Sequence, residues 1–384
     1  MAESECVRER AHELTRATTR TPDDARQSSS TLECRCYLCI QSAQRQREFE
    51  QFLLNIPQKR LAGTTWKYYD VSPEDGFDET MVMLHAGGIR VEAMYEHLLG
   101  LAKEFRVIAP LFPEELNEIE DYVAGLILIM RHENIKRAHF YGDSFGALVA
   151  HHFVYKHPTR VLSCTLVHAI CPSEMRANTV RKALKKLDSY PVWPPIQRML
   201  TGYGIKGKDI EEQVLDLDLG EREFLLTMLR KFAASRTALV ARLEAILDLF
   251  TNCEYTPEKF ARFNGRLLLI ESEDDPTFDT ANFDKLSVLH PDACVHYFKG
   301  SGLLMPLVRP RRVIKLIAKF LTDEESESVT RSHHDQRTTN DDTEDATSKD
   351  IVFTDGLGAD ADTDATPRPG EGIEDDDEEA AAAL

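Results

Sequence analysis

Residues 137–146, Arg-Ala-His-Phe-Tyr-Gly-Asp-Ser-Phe-Gly, constrain the fold of this chain more than any other stretch. The apolar start reads as a short strand. Residues 147–153, Ala-Leu-Val-Ala-His-His-Phe, read as a helix, with no proline until Pro158. Between them lies Gly142-Asp143-Ser144-Phe145-Gly146, a Gly-x-Ser-x-Gly pattern. A chain that leaves a strand and enters a helix within so few residues must turn sharply. Side chains two positions either side of the serine would then meet the neighbouring strand and helix, and glycine removes them. The turn holds the Ser144 hydroxyl above the sheet edge, at the positive end of the following helix. The alternative is an ordinary strand–helix turn with no chemistry attached.

The flanking sequence alternates strand and helix signals, as an α/β chain with a mostly parallel sheet requires. Residues 64–71 and 80–84 read as strands, the first of them antiparallel. Residues 105–110, 161–168, 266–271 and 293–298 follow as further strands. The run 161–168 is apolar on both faces, as a strand covered by helices on both sides must be. Helical periodicity marks 114–134, 279–290 and 311–321. The alternation breaks over 173–256, where amphipathic helices at 209–217 and 222–250 form a helical cap. Strand, Gly-x-Ser-x-Gly and helix in this order are similar to the nucleophile elbow of the α/β-hydrolase fold. The expected fold class is therefore the α/β-hydrolase fold, with helices on both faces of the sheet and a cap over it.

Composition divides the chain into three parts. Of 384 residues, the formal net charge of −19 is concentrated at one end. Residues 322–384 carry 21 acidic and 4 basic side chains, and residues 1–321 are nearly balanced, at −2. Residues 1–46 are polar with little periodicity. The expected domains are a disordered extension over 1–46, a folded domain over 47–321 and an acidic disordered tail over 322–384. A balanced body gives no reason to expect nucleic acid as a partner. No apolar run is long enough to span a membrane, and no leader is apparent at the start. Cys34, Cys36 and Cys39 are clustered, but a closed zinc site needs four ligands and no paired Cys or His follows. Free thiols are expected there. No metal and no cofactor is expected.

Acyl transfer on this fold needs a serine, an acid and a histidine, in that chain order. The histidine takes the serine proton, and the acid fixes the tautomer of the histidine. Ser144 is the candidate nucleophile. Asp274 and Asp275, in the loop after the strand 266–271, are the candidate acids. His85, Gly87, Gly88 and Phe145 are the candidates for the oxyanion loop and ligand contacts, because glycines there let backbone N–H groups approach a ligand. The histidine is missing from its place. The loop after the last strand reads Lys299-Gly300-Ser301-Gly302-Leu303-Leu304-Met305-Pro306. His296 lies inside the strand, roughly four residues too early, which at about 3.3 Å per residue is more than about 10 Å. His290 precedes that strand. His85 and His168 stand at strand exits and read as packing or loop residues. No histidine is expected within hydrogen-bond reach of Ser144, so the expectation leans away from an enzyme. A serine ester hydrolase with an atypical base is the alternative.

Across residues 49–321 the sequence resembles the maspardin family, a non-catalytic branch of the α/β-hydrolase superfamily. The resemblance rests on Ile56-Pro57 with Trp66 and Tyr69-Asp70, on Ala241-Arg242-Leu243, and on Thr251-Asn252-Cys253 with Tyr255-Thr256-Pro257-Glu258. The acid loop over 271–277 and the histidine-free loop over 300–307 also resemble that family. Asp143 before the serine and a longer cap helix depart from it. The resemblance implies a cytoplasmic adaptor with endosomal or trans-Golgi association. It also implies a protein partner, such as a receptor cytoplasmic tail or an endosomal protein.

Overall fold

The computed structural model describes residues 37–73, 76–189, 217, 219–275, 279–299 and 302–322. Eight strands form one sheet: β1 (Lys59–Arg60), β2 (Lys67–Val71), β3 (Thr80–Leu84), β4 (Arg106–Leu111), β5 (Ala138–Asp143), β6 (Val161–Val167), β7 (Arg266–Ser272) and β8 (Cys294–Phe298). Their order is β1-β2-β4-β3-β5-β6-β7-β8. The first two strands are antiparallel to their neighbours, and every pair from β4 to β8 is parallel. The mostly parallel sheet expected from the apolar runs is therefore present.

Alternation along each central strand sends side chains to two separate cores. Val82, Leu84, Phe140, Leu267 and Leu269 enter one core. Met81, Met83, Tyr141, Leu268 and Ile270 enter the other. Helix α3 (Ile119–His132) and helix α4 (Phe145–Lys156) cover the first face. Helix α2 (Tyr95–Leu101) and the closing helix α11 (Pro310–Thr322) cover the second. In α11, Val313, Ile317 and Phe320 are buried at helical spacing while the intervening basic residues face out.

Helix α1 (Tyr37–Asn55) crosses the expected boundary at residue 46. Phe49 and Phe52, three residues apart, reach the second core and pack on Tyr95 and Tyr69. Arg45 ties the helix to Glu96 at 3.2 Å and to Glu221 at 2.9 Å. Cys34 and Cys36, the segment 209–216 and the acidic tail from residue 323 onward lie outside the described residues.

The cap sits between β6 and β7. It contains α5 (Glu174–Ser189), α6 (Leu219–Lys231) and α7 (Arg236–Asn252). The single helix expected over 222–250 is thus two helices. The chain breaks at residues 232–235 because its backbone pairs elsewhere. Arg90 N–H donates to the Phe232 carbonyl at 2.7 Å, and Ala234 N–H donates to the Gly88 carbonyl at 3.0 Å. Ser235 then caps α7, its side chain accepting from Ala238 N–H. Three short helices complete the chain: α8 (Pro257–Phe260), α9 (Thr280–Leu289) and α10 (Met305–Val308).

Candidate functional site

The elbow forms as its glycines require. Ser144 has φ 52° and ψ −113°, the mirror image of an extended conformation, which a residue with a Cβ adopts only under strain. A Cβ on Gly142 would lie 2.3 Å from the Gly146 carbonyl oxygen, and one on Gly146 would lie 2.4 Å from the Leu84 carbonyl oxygen. Ser144 N–H donates to the Val167 carbonyl at 2.9 Å, and the Ser144 carbonyl accepts from Leu148 at 3.0 Å, opening α4. The serine is 8% exposed.

The neighbouring strand end brings a histidine to this corner. Asp143 and Val167 are register partners of β5 and β6, so His168 follows directly beside the elbow. His168 has φ 50°, and its N–H donates to the Ile270 carbonyl of β7 at 3.1 Å. Its Nδ1 lies 3.3 Å from Asp143 Oδ1, and its Nε2 lies 3.7 Å from Asp275 Oδ2. All three side chains are buried. Glu271 is buried close by and accepts from Ala169 N–H at 3.2 Å. Burial works against the charged imidazole. The Asp143 hydrogen bond and the Asp275 and Glu271 charges overcome it and raise the His168 pKa to about 9. Burial raises Glu271 to about 7, against the opposing pull of His168. At neutral pH His168 is therefore an imidazolium, with Nδ1 hydrogen-bonded to Asp143 and Nε2, which has no hydrogen-bond partner, facing the Asp275 charge.

Of the two candidate acids, only Asp275 joins this cluster. Asp274 is exposed and accepts from Gly302 N–H at 3.1 Å, which fastens the acid loop to the final loop. The candidates around the β3 exit form a separate group. His85 Nδ1–H donates to the Ala86 carbonyl at 2.8 Å, Nε2 accepts from Phe112 N–H at 3.5 Å, and the ring lies 4.4 Å from that of Phe112. Burial, with the nearby Arg242 charge second, lowers its pKa to about 3. A Cβ on Gly87 would stand 3.0 Å from Phe145 Cβ. Both glycine carbonyls are engaged by the cap: Arg242 donates to that of Gly87, and Ala234 to that of Gly88. Phe145 is buried between Phe112 and Tyr122.

His290 is turned away, its Nε2 at 2.8 Å from that of His151. His296 pairs in register with Ile270 within β8. The residues missed by sequence reasoning are Asp143 and Glu271, with His168 noted only as packing. One signal was available. Asp143 adjoins the serine, and His168 ends the strand that follows the elbow helix, so a parallel crossover places them side by side. Among the described residues, no group of three or more side chains is arranged to hold a metal ion, and no helix is long and apolar enough to cross a membrane.

No family model matches the sequence, and no curated protein matches it. Solved structures do match in shape. An enol-lactonase from Burkholderia xenovorans is 17% identical, with a TM-score of 0.54 over 69% of this chain and 100% of that one. A thermophilic esterase from Thermogutta terrifontis is 16% identical, with a TM-score of 0.53 over 69% and 97%. An α/β-hydrolase-fold protein from Chitinophaga pinensis is 15% identical, with a TM-score of 0.52 over 70% and 97%. Strand order, elbow and these likenesses agree: the chain has the α/β-hydrolase fold.

Proposed function

We propose that the protein is a non-catalytic member of this fold, a binding protein that acts as an adaptor in endosomal or trans-Golgi trafficking. One observation carries the first part. A catalytic histidine must offer one nitrogen to its acid and the other to the serine. His168 has a carboxylate beside each nitrogen, and those carboxylates keep it charged. An imidazolium cannot accept the Ser144 proton. The absence of histidine from the loop after β8 supports the same reading. The resemblance to the maspardin family supports the cellular setting and a receptor-tail or endosomal protein partner.

A serine ester hydrolase is the second reading. It is favoured by the strained backbone of Ser144 and by the esterase and lactonase likenesses in fold. A fluorophosphonate probe separates the two, since only an activated serine is labelled. At neutral pH the full chain should label no more than its Ser144→Ala variant. Labelling that disappears in that variant would establish the hydrolase reading. The adaptor reading is tested by locating the tagged chain in cells. It should overlap endosomal or trans-Golgi markers, and an even cytosolic spread would count against it.

A further inference from the structure

The folded domain ends on a segment charged with one sign. Residues 299–322 carry six basic side chains and no acidic one. Within α11, Arg311, Lys315 and Lys319 are exposed. They recur every four residues, so each step advances by only about 40° around the helix, and the three form one stripe roughly 12 Å long. Val313, Ile317 and Phe320 are buried on the other side. Among the described residues, neither Lys315 nor Lys319 has a carboxylate within ion-pair distance. Arg311 stands in the first turn, where its charge is felt by Glu96, which Arg45 already bridges. Arg312 is also exposed but already engaged, and is not counted. Beyond Thr322 the sign reverses. Residues 323–384 carry 21 acidic and 4 basic side chains, and six of the acids are consecutive, from Glu374 to Glu379.

We propose that the acidic run Glu374–Glu379 docks on the Arg311, Lys315 and Lys319 stripe of α11, so that the chain carries its own polyanion over this face. The inference goes beyond the adaptor reading and stands whether or not Ser144 is reactive. Surface ion pairs are individually weak and screened by salt, so the covalent link decides which anion occupies the stripe. About 50 residues separate Thr322 from Glu374. A coil of that length has an end-to-end distance on the order of 40 Å, which presents the run to α11 at a roughly millimolar effective concentration. An unlinked acidic protein at about micromolar concentration needs roughly a thousandfold higher affinity for the same occupancy. Six extended residues span about 20 Å, enough to reach all three cations. Nucleic acid and anionic lipid must also approach against the net charge of the tail. The contact is partial and fast, so it leaves the melting temperature to the core.

Zero-length carbodiimide coupling of the full chain reads this contact, because it joins a carboxylate to an amine only where the two touch. Mapped by mass spectrometry at low salt, Lys315 and Lys319 should couple to residues 374–379 within one chain. The yield should not change on dilution of the protein, and it should fall by about tenfold or more when salt is raised to about 0.5 M. Lys136, an exposed lysine between α3 and β5, is the reference and should couple to the tail far less. Arg311→Gln keeps both α11 amines and should lower their yield by about threefold. Phosphatidylglycerol vesicles at about 0.1 mM lipid should leave the yield unchanged, because the linked run outcompetes them. The proposal falls if Lys136 couples to the tail as well as the α11 lysines do, if the yield drops on dilution, or if Arg311→Gln couples like the parent. It also falls if the vesicles abolish the coupling, which would give the face to a lipid surface.

Discussion

At Ser144 the backbone and the side chain make opposite demands. Its conformation costs about 1–3 kcal/mol for a residue with a Cβ, and the removal of two other Cβ atoms makes the turn possible. Ser144→Ala keeps the Cβ, so unfolding free energy in urea should change by no more than about 0.5 kcal/mol. Gly142→Val should lower it by several kcal/mol, because the new carbon would meet main-chain atoms of Gly146 and Ala147 that cannot rotate away. A valine variant as stable as the parent would refute the elbow. The serine was legible because the motif is local. His168 was not, because its character comes from Asp143 at the end of β5 and from Glu271 and Asp275 at the end and exit of β7, which meet it only when β5, β6 and β7 align. The parallel crossover places only Asp143 beside it, and nothing in the sequence near residue 168 announces Glu271 and Asp275.

At the scale of elements, the strands were the most readable part of the chain. A parallel strand buried on both faces needs a continuous apolar run, and β3, β6 and β7 have one. The cap was misread where local and tertiary preferences diverge. Helical periodicity runs through 222–250 without a glycine or proline, yet the backbone leaves the helix at residues 232–235 to pair with the loop after β3. Ser235 restarts the helix, and its hydroxyl both accepts from Ala238 N–H and donates to Glu114. Ser235→Ala should therefore lower the stability of the domain by about 1 kcal/mol, measured by urea unfolding. A loss within error would mean that the second helix starts without its cap.

For the whole molecule, pH dependence follows from the buried charges. The His168 pKa rises from 6.5 to about 9, so the stability it contributes is complete below about pH 6.5 and is lost as pH climbs through 9. Glu271 rises from 4.5 to about 7, so folding favours its protonated form, and its contribution fades between those values. On the acid side, burial raises Asp70 and Glu133. The bonds of Asp70 to Arg106 and Lys59 overcome this, as do those of Glu133 to Tyr68, Lys59 and Arg106, and both pKa values end lowered. Their stabilisation is lost as pH falls through the carboxylate range. Burial lowers His85 to about 3 and His97 and His290 to about 4, so their stabilisation is lost as pH falls below about 6.5, and unfolding free energy measured across pH should peak near neutral pH and decline toward pH 9. His168→Gln should flatten the decline above about pH 6.5, and an unchanged profile would show that the cluster does not titrate. Truncation after Thr322 should leave the melting temperature unchanged, because residues 323–384 hold few apolar side chains to bury. The pairing of Ile89 with Ala233 has a kinetic consequence. If the cap swings outward at this point, the Arg90-to-Phe232 and Ala234-to-Gly88 bonds must break in the same event. The amides of Arg90 and Ala234 should then exchange with deuterium at one shared opening free energy, set by the lid as a whole rather than by either loop.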